Sequence, residues 1–310
     1  MGARAYHGSL WTQYGIWRQE QVDLRLIIEG LSDGDGPWAV LDIRPRTEFH
    51  RGHLTGAVSW PLEGLAPGDN AGALPSIFLP PRGVPLVVLA EHLGTAEAWA
   101  RHLESRGRAA VVGVAVSSLP EGVLCEVGMS SARLWKPPEW LERHLDWLPP
   151  PMAGPVLDLG CGSGRASVWL AERGYLVTAI DWQAEALALG RQLADQHGVE
   201  VAWQMGDLRQ RETVPVGPWA VVLNFRYLQR DLLRRLPQLL QPGGVALVRT
   251  FRDTPGFVGV PHRRHRLDPG ELPRYFPPSC CEILAHEESW DPDGRSAAGI
   301  VARRRCAIYG

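Results

Sequence analysis

The chain has 310 residues, 45% hydrophobic and 21% charged, with a formal net charge of -2. That length suits two modest domains with separate cores, and the near-neutral balance gives no global attraction for nucleic acid or anionic membrane. Five scattered cysteines make no disulfide framework, the N-terminus lacks the apolar core of a signal peptide, and no apolar run reaches membrane-spanning length, so a cytoplasmic protein is expected.

Residues 1–21 show no clear periodicity, Val22 to Leu31 has helical spacing, and Asp33 to Pro37 reads as a turn. Trp38 to Ile43 is a strand carrying Asp42 near its end. Further strands are expected at Pro85 to Leu89 and Ala109 to Val114, with a helix from Ala96 to Leu103 between them. Asp42, Arg44, Glu48, Gly52, His53, Gly56 and Ala57 together resemble the signature of rhodanese-like domains. Physically they read as a buried acid–arginine pair and glycines at a tight crossover, structural rather than catalytic. The resemblance places the sulfur-carrying cysteine of active members just after the Pro85 to Leu89 strand. Here that position is Ala90, followed by Glu91, whose charge opposes a thiolate; Cys125 lies beyond the next strand. The implication is a domain without sulfurtransferase activity, used for docking a protein partner, for regulation or for dimerisation.

From Ser130 the composition changes. Lys136, the only lysine, lies in this Pro-rich connector, which disfavours Schiff-base chemistry and a phosphate-loop lysine. Pro137 and Pro138 suit a helix start and Pro149 to Pro151 a stop, with Trp140, Leu141, His144, Leu145 and Leu148 on one face. That helix packs on the second domain or covers its ligand site. The expected division is 1–130, a connector at 131–150, and 151–310.

The most informative stretch is Pro155 to Arg165. A strand, Val156 to Leu159, carries Asp158 and runs into Gly160, Cys161, Gly162 and Gly164, then a helix from Ala166 to Arg173. Glycines there let backbone approach a ligand closely. A second strand, Tyr175 to Asp181, ends in an acid able to accept ribose hydroxyls. A dinucleotide fingerprint would need its third glycine at Arg165. The D-x-G-x-G-x-G pattern instead resembles motif I of class I S-adenosylmethionine (SAM) methyltransferases. Asp158 and the glycine turn would then lie beside the methionine and ribose, and Asp181 would hold the ribose. The resemblance also gives Trp182 to the adenine face, with a core tryptophan as the open alternative. After a strand at Val199 to Trp203, it gives the Asp207 carboxylate to the adenine amino group and the Leu208 amide to a ring nitrogen.

A fourth strand, Pro218 to Leu223, delivers Asn224 to the carboxyl end of the sheet, where ligands collect; Asn224 is accordingly placed with the cofactor. Base-methylating members carry N-P-P-(Y/F) here, and Asn224-Phe-Arg-Tyr227 lacks both prolines, which argues against a base as acceptor. Arg226 and Tyr227 are substrate-pocket candidates, with helix-start packing equally open. No residue stands out as a general base, and Cys280-Cys281 has no metal-ligand spacing.

The helix Leu232 to Leu240, a Gln241 to Gly244 turn and a strand at Val245 to Thr250 follow. His262 to Arg266 is a solvated loop or a basic lid for an anionic substrate; Glu271 to Phe276 is a short helix. Cys281 to Glu288 and Ala298 to Arg303 form a closing antiparallel hairpin that completes seven strands. The whole reads as α/β with two domains, a rhodanese-like one and a Rossmann-like methyltransferase similar to the small-molecule and tellurite-resistance-type enzymes. Its cofactor would be SAM and its acceptor small. Two alternatives remain: a SAM-binding sensor without turnover, and an NAD-dependent oxidoreductase.

Overall fold

The computed structural model describes residues 38–306 apart from residues 63, 68–73, 109, 125, 129–131, 256–260 and 292–293. The expected helix at 22–31, the turn at 33–37 and Cys125 lie outside the described residues. The chain divides into two compact units. One comprises described residues up to Pro75 together with Pro80–Leu134. The other comprises Ser76–Leu79 and Trp135 onward.

In the first unit, β1 (Ala39–Asp42), α1 (Arg46–Arg51), β2 (Val58–Ser59), β3 (Leu86–Ala90), α2 (Leu93–Ser105) and β4 (Val111–Ala115) follow in order. The strands form a parallel sheet ordered β2-β1-β3-β4. Every residue of β3 is buried, as expected of a central parallel strand covered on both faces. On α2, Ala96, Trp99, Ala100 and Leu103 recur at three and four and are the buried residues. Asp42 and Arg44 are both buried. Arg44 Nη2 donates to Asp42 Oδ2 at 2.7 Å and to Gly52 O at 2.8 Å, tying the end of β1 to the end of α1.

The second unit opens with α3 (Glu139–Arg143). One longer helix was expected there. Instead His144 leaves helical geometry at φ -113 and ψ 21, its Nδ1 lies 2.9 Å from Trp140 O, and a single 3-10 turn follows at Leu145–Trp147. Trp140 packs on Gly299, where a Cβ would lie 2.8 Å from the indole ring. The alternation then runs β5 (Val156–Leu159), α4 (Arg165–Ala171), β6 (Val177–Asp181), α5 (Ala184–His197), β7 (Ala202–Met205), β8 (Trp219–Phe225), α6 (Arg230–Leu239), β9 (Leu240–Phe251), β10 (Cys281–Trp290) and β11 (Ser296–Arg304). Among the described residues these strands make a seven-stranded sheet ordered β10-β11-β9-β8-β5-β6-β7. The β7-to-β9 part is parallel, and β11 and β10 add antiparallel.

The expected Pro-Gly-Gly turn is a bulge inside β9. Trp219 pairs with Leu240 and Val221 with Val245, so the four residues Gln241 to Gly244 stand opposite the single Ala220. The main core packs Leu157, Val222, Ala246 and Ile300 of the sheet with Leu232, Leu233 and Leu236 of α6. Strand β5 has β6 on one side and β8 on the other, so the chain reverses its winding direction at β5. Ligands in open α/β sheets bind outside the carboxyl ends of strands at such a point.

Candidate active site

A cavity of about 350 Å³ opens at that point. Its wall includes Asp158 and Gly160 from the end of β5, Cys161 and Gly162 from the turn, Asp181 and Trp182 from the end of β6, Leu208 after β7, and Arg226 and Tyr227 after β8.

Asp158 is 2% exposed, with Ser167 Oγ donating to its Oδ2 at 2.6 Å. Burial pushes its carboxyl up to about 7; the Ser167 hydrogen bond opposes this and the Asp181 charge adds to it. Asp181 closes β6. Its Oδ2 accepts from the Gly162 amide at 2.8 Å and its Oδ1 from the Gln183 amide at 3.0 Å. One carboxylate thereby fixes both the glycine turn and the start of the next segment, and it keeps lone pairs for further donors. Burial and the charges of Asp158 and Asp181 push the Cys161 thiol up, leaving it protonated at neutral pH.

Gly160 and Gly162 take φ of 73 and 54, the left-handed region. A Cβ on Gly160 would lie 2.9 Å from Tyr227 Cβ, so the glycine lets Tyr227 close over the turn, whereas a Cβ on Gly162 would meet nothing within 4 Å. Burial raises the Tyr227 phenol, as does the Asp207 charge, and it stays a hydrogen-bond donor at neutral pH. Trp182 is 63% exposed and therefore not a core tryptophan. The Leu208 amide donates to no acceptor among the described residues.

Three residues expected at the cofactor lie off the cavity wall. Gly164 caps α4 at φ 68, and its missing side chain makes room for Trp203. Asn224 is fully buried, and its Nδ2 donates to Leu159 O at 3.0 Å, clamping β8 to β5 beneath the turn. Asp207 is taken by Arg209, whose Nε and Nη2 donate to its Oδ2 at 2.9 and 2.7 Å. The basic loop at His262 to Arg266 contributes no wall residue either. Arg263 and Arg266 both pair with Asp253, at 3.0 and 3.1 Å.

Other wall residues were not anticipated. Pro138, from the connector, reaches the cavity; the reading of that segment as a cover was the available signal. Arg165 stands where a third dinucleotide glycine would be. It lines the cavity, and its Nε and Nη2 donate to Ile77 O at 3.0 and 2.7 Å. Arg226 has φ 58, the one non-glycine left-handed backbone among the described residues. Its amide donates to Arg249 O, and its guanidinium lies 3.5 Å from Asp291. Such strained positions concentrate at functional sites.

The wall suits SAM in kind. Acceptors for hydroxyls and a cation come from Asp158 and Asp181, a free amide from Leu208, a flat exposed indole from Trp182, and open space from Gly162. Among the described residues no group of three or more His, Cys, Asp or Glu is placed to hold a metal ion, and no helix is long and apolar enough to cross a membrane.

Residues 156–244 match the family model described as a methyltransferase domain. A ubiquinone biosynthesis O-methyltransferase of Caulobacter vibrioides is 31% identical over 104 residues, 32% of this chain and 41% of that protein. A ribosomal RNA small subunit methyltransferase C of Alcanivorax borkumensis is 34% identical over 111 residues, 33% of this chain and 34% of that protein. The chain thus spans about two fifths or less of these two relatives' lengths. Among solved structures, TehB from Haemophilus influenzae is 20% identical with a TM-score of 0.45, covering 54% of this chain and 62% of that one. The second unit thus carries a methyltransferase domain over residues 156–244, and these matches support the class I, SAM-dependent type. S-adenosyl-L-methionine is the cofactor that defines the class.

Proposed function

We propose that the chain moves the methyl group of SAM to a small acceptor, and that the cavity at the carboxyl ends of β5, β6 and β8 is the active site. The observation that carries this reading is the convergence of the left-handed Gly160–Gly162 turn with Asp181, joined by the 2.8 Å hydrogen bond from the Gly162 amide. SAM supplies an electrophilic methyl on a good leaving group. The protein therefore has mainly to align an acceptor with it and keep water away. In this proposal Asp181 holds the ribose hydroxyls, Trp182 lies on the adenine and the Leu208 amide meets a ring nitrogen. Asp158 and the Gly160–Cys161–Gly162 turn take the methionine end. Asp207, with Arg209 held on its carboxylate, turns a remaining lone pair to the adenine amino group. Asn224 and Gly164 hold the frame. Arg226 and Tyr227 face the acceptor, one offering charge and the other a hydroxyl.

The kinship with a quinone-pathway O-methyltransferase supports a phenolic hydroxyl as the acceptor group; the absence of prolines after Asn224 speaks against a nucleic-acid base. Incubation with isotopically methyl-labelled SAM and a panel of phenols, thiols, carboxylic acids and RNA tests this. Labelled product from a small phenol supports the reading. Label only in RNA would overturn the acceptor class, and SAM binding without label transfer to any acceptor would favour a sensor.

The first unit we propose to be a rhodanese-like domain without sulfur transfer, in a division at 1–130, 131–150 and 151–310, available for docking or regulation. The buried Asp42–Arg44 pair supports the resemblance, and Ala90 at the end of β3 supports the lost chemistry. Thiosulfate and cyanide should give no thiocyanate above background; production by the purified chain would refute the inactive assignment. We place the protein in the cytoplasm.

A further inference from the structure

Strands β3 and β4 are parallel neighbours paired from Leu86 with Val111, and the Leu86 amide donates to Ala110 O at 3.0 Å. The segments entering these two strands therefore lie side by side at the edge of the first unit's sheet formed by the strands' amino-terminal ends. Each brings arginine to that edge. Arg82 comes from the turn closed by the Val84 amide on Pro81 O, and Arg106 and Arg108 come from the end of α2.

Arg108 is 8% exposed, and its Nη2 donates to Pro80 O at 2.9 Å. Its Nη1 is buried with no acceptor among the described residues. Arg82 Nη1 lies 3.2 Å from where a Cβ on Gly107 would stand, so this guanidinium covers the backbone between the other two arginines. Among the described residues no carboxylate pairs with Arg82, Arg106 or Arg108. Burial, then the charges of Arg82 and Arg106, all weaken the hold of Arg108 on its proton. A buried guanidinium without a counter-charge is strongly unfavourable, and its natural remedy is an anion.

We propose that this edge is a binding site for a phosphate group, held by the guanidinium groups of Arg82, Arg106 and Arg108. Planar guanidiniums donate paired hydrogen bonds to tetrahedral oxyanions, and three of them match a dianion better than a monovalent halide. Arg82 and Arg106 are exposed and give the anion its way in, while Arg108 forms the floor. The site is independent of methyl transfer.

The test titrates the full chain with inorganic phosphate and with glycerol 2-phosphate, against sodium chloride at matched ionic strength, following thermal stability and phosphorus-31 line width. Specific stabilisation by either phosphate is expected, with affinity lower by about tenfold in each of Arg82→Gln and Arg106→Gln. The tighter of the two probes tells free phosphate from a phosphate monoester. Arg108→Met should abolish the effect; if that variant does not fold, the two exposed variants decide. Equal stabilisation by chloride, or an unchanged phosphate response in Arg82→Gln and Arg106→Gln, overturns the proposal, as does full retention in a folded Arg108→Met.

Discussion

The ring of Trp203 occupies the space where a side chain on Gly164 would begin: a Cβ there would lie 2.2 Å from Trp203 Cη2. Gly190 of α5 meets the same ring, at 2.6 Å from Cη2. The third glycine of the D-x-G-x-G-x-G pattern thus serves helix-to-strand packing, whereas Gly162 faces open space.

The two glycines should respond differently to alanine. Gly164→Ala combines a left-handed backbone with a rigid clash and should cost roughly 2–4 kcal/mol in denaturant unfolding. Gly162→Ala meets no neighbour, should cost about 1 kcal/mol, and should instead weaken SAM binding. Equal stability losses would contradict the division of labour between them.

How much of this was legible in sequence depended on range. Asp158, the glycine turn and Asp181 stand within 24 consecutive residues, and the strand–turn–helix–strand pattern that fixes them is local. The closing hairpin was legible too, since the composition of residues 291–294, Asp-Pro-Asp-Gly, between its two strand patterns reads as a turn in sequence. Competition for polar side chains was not. Arg209, only two residues on, takes the Asp207 carboxylate, which a turn pattern does not reveal, and Asn224 spends its amide on Leu159 O, 65 residues away. The basic loop looked free because Asp253, which pairs with Arg263 and Arg266, precedes it by a stretch without periodicity. The connector helix was overextended because His144 fits the apolar stripe yet turns its ring back onto Trp140 O.

Asp158 gives the fold a pH dependence of definite sign. Its carboxyl is raised from 3.8 to about 7, so the folded state favours the neutral form. The stability this provides is complete below about pH 4 and is lost as pH rises through about 7. Asp158→Asn, which keeps a partner for Ser167, should gain on the wild type by on the order of 2 kcal/mol between pH 5 and 8. A pH-independent difference in unfolding free energy would contradict the burial argument.

Cys161 should resist alkylation although it lines the cavity, because burial and two neighbouring carboxylates oppose its thiolate. Treatment of the native protein with iodoacetamide at pH 8, followed by peptide mass spectrometry, should find Cys306, which is exposed, modified well before Cys161. Comparable labelling of both would show that Cys161 is a reactive thiol.

In the first unit, Arg44→Met would leave the Asp42 carboxylate buried without its guanidinium. The expected loss is about 3–5 kcal/mol, since the remaining charge is uncompensated. Replacing both, Asp42→Leu with Arg44→Met, should cost less than the single change. The reverse order in chemical denaturation would show that the pair is not what the local fold depends on.

The central claim is that the Asp181 end of β6 and the glycine turn hold SAM. Calorimetric titration of the wild type and Asp181→Ala with SAM, its demethylated product and NADH tests it most directly. Micromolar binding of SAM or product to the wild type is predicted, at least tenfold weaker in the variant, with no heat from NADH. A folded wild type that binds neither SAM nor its product, or an Asp181→Ala variant that binds them undiminished, would contradict it.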